Sequence, residues 1–429
     1  MRIRSPEPPP SKNDVDRIIR QGASGEDKKR LPALLRRLRQ SFFLDSRDQP
    51  LSARARMVRQ YKNDGLALFL GAGISVESGI PSWPKLAHDV LVASGVATEE
   101  VNEVMRALPS HMAQFGLARQ LLGTERDLVA TIYRELYKHL ECKHQLEKIP
   151  RKYEQQRAWH GWGDILKVLE CNQTLKEVGN LLVLFDGTKP RRNPQIHAVL
   201  TSNADNLLEL YCEAKTNGKR VVTMVDRPSV GEDPDQIPIY HLHGTLDARG
   251  ENLLRSGPHL VPPDELQEIT DEMLPELVFQ ESEYYETIAN PASFVNHMPQ
   301  SLLRRLNALF VGTSLDDLNM RRWLNTSFHE RVRHRTRYLR EFYWRRYPDA
   351  EHEGGLESVR HFWIRPEVEG QKNGKLWRVP KGHVDRVMGT LGVQVVWCKD
   401  YDDVQRCLGE LQKLGHDPEF GRKAADYPT

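Results

Sequence analysis

The chain has 429 residues with 61 basic and 59 acidic side chains, a formal net charge of +2, 39% hydrophobic residues and 5 cysteines. This length can bury a large core and leaves room for two or three domains, while the near-zero net charge hides local asymmetry. No apolar run reaches the roughly 18 residues of a membrane span. The unpatterned cysteines fit a reducing compartment, so a cytoplasmic protein without membrane association is expected.

Residues 1–10, Met1-Arg-Ile-Arg-Ser-Pro-Glu-Pro-Pro-Pro10, have no apolar secretory core and read as a disordered lead-in. Basic residues and leucines then alternate over 27–40 at helical spacing, predicting an amphipathic helix with a basic face. It reads as a solvated or docked surface helix, with a protein or nucleic-acid contact as the other reading; no aromatic residue interleaves its charges. Residues 1–50 form this first segment.

The apolar run Leu66-Ala-Leu-Phe-Leu70 predicts a strand, and it ends in Gly71-Ala72-Gly73-Ile-Ser75, followed by Gly79-Ile80-Pro81-Ser-Trp83. Glycines at 71 and 73 permit a sharp turn whose N–H groups approach phosphate oxygens, with the Ser75 hydroxyl as a further donor. The spacing departs from the dinucleotide fingerprint G-x-G-x-x-G, and Asp89, near the expected acidic position, falls in a helical pattern. A tight strand-to-helix connection is the alternative.

Residues from about 85 to 195 read mostly as helix, too long for a single crossover between parallel strands. A helical subdomain inserted at about 95–195 is expected. Next, Ala198-Val-Leu-Thr201-Ser-Asn203-Ala-Asp205 runs from a strand into polar groups before an amphipathic helix, where Asn203 and Asp205 suit either ligand contact or helix capping. The segment Ile237-Pro-Ile-Tyr-His-Leu-His243-Gly244 is a third strand ending in a histidine, a turn residue or a catalyst. Leu309-Phe-Val-Gly312-Thr313-Ser314 is a fourth, closed by glycine and hydroxyl residues. A polar insertion with a basic and aromatic cluster is expected around 331–374, then a late strand at 393–397 with its helix, and a polar tail at 416–429.

In this order the motifs Gly71-Ala-Gly-Ile-Ser75, Thr201-Ser-Asn203-Ala-Asp205, His243-Gly244 and Gly312-Thr-Ser-Leu315 resemble those of the sirtuin superfamily over roughly residues 60 to 410. The likeness is to the sirtuin-like (Sir2-type) branch of prokaryotic anti-phage systems, through Ser82-Trp83, Asn206-Leu-Leu-Glu209 and Glu281-Ser-Glu-Tyr284. It implies an α/β fold, a Rossmann-like parallel sheet with helices on both faces, in a domain spanning 51–415. The paired C-x-x-C cysteines of the deacetylases are missing, so no zinc is expected. The arginine of their Gly-Ile-Pro-Asp-Phe-Arg loop is missing too.

The resemblance implies an NAD+ glycohydrolase, an effector that depletes NAD. Asn203, His243 and Asp205 are its catalytic candidates. Gly71, Ala72, Gly73, Ser75, Ile80, Pro81, Trp83, Thr201, Gly312, Thr313 and Ser314 are candidates for holding the dinucleotide. The chain has no ATPase P-loop, so homo-oligomers and a partner protein are expected, first a hexameric translocase-type ATPase and otherwise a short Argonaute. A non-enzymatic NAD or ADP-ribose sensor is the main alternative, and a protein deacylase the weaker one.

Overall fold

The computed structural model describes residues 52–415 except 109, 151–154, 157–158, 187, 226–232, 234, 250–276, 291, 340–360 and 373–374. The expected lead-in and basic helix at 1–50, the tail at 416–429 and the centre of the 331–374 insertion lie outside the described residues.

The described residues open with α1 (Ala53–Asp64) and β1 (Leu66–Leu70). A helical stretch follows, made of α2 (Trp83–Ala93), α3 (Val101–Ala107), α4 (His111–Leu122), α5 (Glu125–Leu136), α6 (Lys143–Leu146), α7 (Trp162–Leu169) and α8 (Gln173–Leu182). It closes in the antiparallel hairpin β2 (Val183–Asp186) and β3 (Lys189–Arg192). Then come β4 (Ile196–Thr201), α9 (Leu207–Lys215), β5 (Val222–Val225), β6 (Ile237–His241), α10 (Glu281–Ala289), α11 (Phe294–Arg305), β7 (Ala308–Val311) and α12 (Leu318–Leu339). The chain continues with β8 (His361–Pro366), the hairpin β9 (Val368–Lys372) and β10 (Lys375–Arg378), α13 (Lys381–Gly389), β11 (Val393–Cys398) and α14 (Tyr401–Gly415).

Seven strands form one parallel sheet in the order β11-β8-β7-β1-β4-β6-β5. The central strands are apolar throughout because helices cover both faces. Leu66, Leu68 and Leu70 of β1 enter one core layer, while Ala67 and Phe69 enter the other. Strand β7 alternates in the same way, and the rings of Phe69 and Phe310 meet at 4.8 Å between centroids. Tyr61, Leu91, Leu182 and Leu408 bring α1, α2, α8 and α14 to the first layer; Leu303, Trp323 and Met388 bring α11, α12 and α13 to the second. The fold is the expected Rossmann-like α/β sandwich.

Two stretches depart from expectation. The hairpin β2–β3 closes a stretch read mostly as helix, and β8 and β9 stand inside the range read as a polar insertion. His361-Phe-Trp-Ile364 is too short to announce itself by periodicity. It becomes a strand because β7 and β11 pair with it on both sides.

Strand β1 is also where the winding reverses, with β4, β6 and β5 laid out on one side and β7, β8 and β11 on the other. Open α/β sheets bind ligands outside the carboxyl ends of their strands at such a point. Register makes four of those ends level, since Leu70 pairs with both Thr201 and Val311, and Thr201 pairs with His241. Among the described residues, no helix is long and apolar enough to cross a membrane.

Candidate functional site

The turn after β1 is locked to the turn after β7. Gly71 N–H donates to the Val311 carbonyl at 3.0 Å and Gly73 N–H to the Gly312 carbonyl at 2.9 Å. A Cβ on Gly71 would stand 2.5 Å from the Gly312 oxygen, and one on Gly73 would stand 2.9 Å from it, so both glycines are demanded by backbone packing. Ile74 and Ser75 N–H groups turn back onto Gly71 and Ala72 carbonyls in a short 3₁₀ turn. Four of the N–H groups expected to cradle phosphate have acceptors inside the protein, and Ala72 N–H alone of residues 71–75 lacks a backbone acceptor among the described residues. Asn172, which caps α8, braces the turn from below by donating to the Ile74 carbonyl at 2.8 Å and to Ser78 Oγ at 2.9 Å.

Ser75 is fully buried, and its hydroxyl donates to Asp205 Oδ1 at 2.9 Å. Asp205 also accepts from Leu207 N–H at 3.3 Å, a capping contact at the entry to α9. Burial pushes its carboxyl up to about 6, against the opposing pull of the Ser75 hydrogen bond and with help from the nearby Glu209 charge. Thr201 Oγ1 donates to the Leu70 carbonyl at 3.2 Å and accepts from Asn203 N–H at 3.0 Å, tying the ends of β1 and β4 together. Asn203 is buried at 4% exposure. Its side-chain NH2 donates to the Gly71 carbonyl at 3.3 Å, while Oδ1 is buried with no partner among the described residues.

His241 ends β6 and His243 stands two residues further on, and the two meet different surroundings. His241 is fully buried between Asn203 and Glu209. His243 is partly covered, with the Trp83 indole centroid 6.1 Å from its ring, and burial lowers its pKa while Asp317 opposes that shift. It is therefore a neutral base near pH 7. Trp83 belongs to an aromatic cluster with Phe279 at 5.3 Å and Phe115 at 6.2 Å, brought in from the segment before α10 and from α4. Ile80 is buried beside this layer and Pro81 half-buried.

On the other side of β1, Gly312 has φ +67°, and a Cβ there would meet Ile74 N at 2.8 Å. Thr313 Oγ1 accepts from Leu315 N–H at 3.3 Å, and the Thr313 carbonyl accepts from Trp363 Nε1 at 2.9 Å, so β8 supports this turn. Ser314 is exposed. Asp317 caps α12 through Met320 N–H and accepts from the Tyr284 hydroxyl at 3.2 Å, which brings α10 over the same sheet edge.

The structure thus gathers Gly71, Ala72, Gly73, Thr201, Asn203, His243, Gly312 and Thr313 at the carboxyl ends of four neighbouring strands, and buries Ser75 and Asp205 just beneath. Sequence reasoning missed His241, Glu209, Phe115, Phe279, Asn172 and Asp317. For Glu209 a signal existed: it is an acidic residue in the first turn of the helix that follows Asp205. Phe115 and Phe279 carry none, because α4 and the segment before α10 meet only in the fold.

Residues 197–371 match the family model described as SIR2-like domain. That span opens within β4 and closes within β9, so it contains Asn203, Asp205, His243 and the Gly312 turn but not the Gly71 turn packed against them. No curated protein matches the chain.

Proposed function

We propose that this chain is an NAD+ glycohydrolase that splits NAD+ and water into nicotinamide, ADP-ribose and a proton. The single observation that carries the reading is Asn203 Oδ1, buried at the switch point of the sheet and without a partner among the described residues. Native proteins rarely leave such an acceptor unsatisfied, and a ribose hydroxyl or an attacking water supplies the missing donor. The SIR2-like match over residues 197–371 supports NAD as the molecule that brings it.

The residues suit the chemistry. Nicotinamide leaves as a neutral molecule, so no acid has to protonate it, and positive charge develops at the ribose carbon as the N-glycosidic bond lengthens. Asp205, ionised above about pH 6, supplies negative charge in a dry setting where it is weakly screened. Asn203 Oδ1 orients the water or the ribose. Neutral His243 takes the proton from the water as its oxygen bonds to carbon. Trp83, Phe115 and Phe279 keep bulk solvent from that histidine.

The resemblance to sirtuin-like defence effectors extends the proposal to a cytoplasmic, homo-oligomeric protein that depletes NAD during phage infection. A partner gates it, first a hexameric translocase-type ATPase and otherwise a short Argonaute. The deciding experiment incubates the purified chain with NAD+, alone and with its neighbouring gene product, and follows nicotinamide and ADP-ribose by chromatography. Asn203→Ala and His243→Ala are expected to lower turnover by about 10²–10⁴-fold. Full turnover in both variants would refute the site, and tight ADP-ribose binding without NAD loss would establish the sensor reading instead.

A further inference from the structure

We infer that Glu209 and His241 are positioning residues that aim the side chain of Asn203 through its backbone, an inference that rests on the glycohydrolase reading of that asparagine. His241 is the last residue of β6 and only 1% exposed, and Glu209 of α9 is 7% exposed. The imidazole spans them: Nδ1 lies 3.0 Å from the Asn203 carbonyl oxygen and Nε2 lies 2.6 Å from Glu209 Oε1. A carbonyl oxygen only accepts, so Nδ1 carries a proton.

The consequence appears at Asn203. Its N–H is held by Thr201 Oγ1, its carbonyl by His241 and its side-chain NH2 by the Gly71 carbonyl, while Oδ1 has no partner among the described residues. Every other polar group of the residue is spent on fixing the direction of that one. An apolar pair in place of Glu209 and His241 would fill the same space but leave the carbonyl end untied. Buried ion pairs are poor sources of stability in themselves, which favours a role in geometry over one in holding the fold.

The titratable groups facing His241 are Glu209 from α9 and Asp205 from the turn after β4. Burial opposes charge on the ring, yet the Glu209 carboxylate and these contacts raise its pKa, and the two acceptors on either side, the Asn203 carbonyl and Glu209 Oε1, each call for a proton on the ring nitrogen that faces them. When alkaline pH removes one proton, the ring loses a donor either to Glu209 or to Asn203, and the asparagine is released or strained. Turnover should therefore decline on the alkaline side. Glu209→Gln offers the ring an amide donor and lets a neutral imidazole keep Nδ1–H on the Asn203 carbonyl.

The test compares Glu209→Gln with Glu209→Leu. The glutamine variant is expected to keep turnover within about 3-fold and to lose the alkaline decline, while the leucine variant loses at least about 10-fold in kcat with KM within about 2-fold. Unchanged kcat in Glu209→Leu, or an equal loss in both variants, would overturn the inference. If the wild-type chain consumes no NAD, the glycohydrolase reading fails alone, and positioning is read from the ¹⁵N-labelled His241 ring by NMR. A protonated Nδ1 at pH 7, retained in Glu209→Gln and exchanging freely in Glu209→Leu, supports it. An unprotonated Nδ1 in the wild type overturns it.

Discussion

Gly73 N–H donates to the carbonyl oxygen of Gly312 across 2.9 Å, joining two turns that lie more than two hundred residues apart in sequence. The glycines are therefore as much a packing requirement as a ligand feature. Gly312→Ala must hold an alanine at φ +67° with its Cβ 2.8 Å from Ile74 N. It is expected to destabilise by about 1–3 kcal/mol and to weaken NAD binding. Gly116→Ala, in α4 with open space around the new methyl, is expected to be neutral or to stabilise by about 0.5–1 kcal/mol. Urea unfolding of both variants checks the pair.

Asp205 is a site where function opposes stability. Its carboxyl moves from 3.8 up to about 6 on folding, so the folded chain holds the proton more tightly than the unfolded one. The penalty of ionising it is absent below pH 3.8, grows as pH rises and is complete above about 6. Asp205→Asn keeps an acceptor for Ser75 and Leu207 while removing the charge. It is expected to stabilise at pH 7.5 by on the order of 1–3 kcal/mol, with the gain shrinking toward pH 4, and to lower NAD cleavage at least about 10-fold. Thermal unfolding across pH, beside turnover, measures both.

The acid side of the activity profile should move in opposite directions on two substitutions around His243. Asp317 raises the pKa of this histidine against the larger effect of burial. Asp317→Asn is therefore expected to shift the acid limb of kcat/KM to lower pH. A limb that stays in place or rises would show that His243 does not govern it.

Trp83→Ala removes part of the cover over the same ring. It relieves burial, so the acid limb is expected to move up toward the ordinary histidine value of about 6.5, with a stability loss of about 2–4 kcal/mol. The two pH profiles together separate the charge on Asp317 from desolvation by Trp83.

Several of these relationships were legible in the chain and others were not. Leu66 to Leu70, followed by two glycines, announced a buried parallel strand and its turn. Asn203 and His243 announced themselves by standing at strand ends. The partner of Gly73 did not, since nothing in its neighbourhood says that Gly312 will lie against it. The Ser75 hydroxyl likewise looked available to a ligand, and only the fold gives it to Asp205.

The sheet and its set of motifs can be read along the chain, because apolar runs, glycines and polar strand ends are local properties. Which polar atoms remain for a substrate depends on the long-range pairing that uses the rest. His241 and Glu209 show the reason: 32 positions apart, they meet at 2.6 Å only because β4 and β6 pair and α9 packs beside them. A group's hydrogen-bond partners and its desolvation belong to its surroundings in space, and those surroundings left Asn203 Oδ1 a buried acceptor without a partner among the described residues.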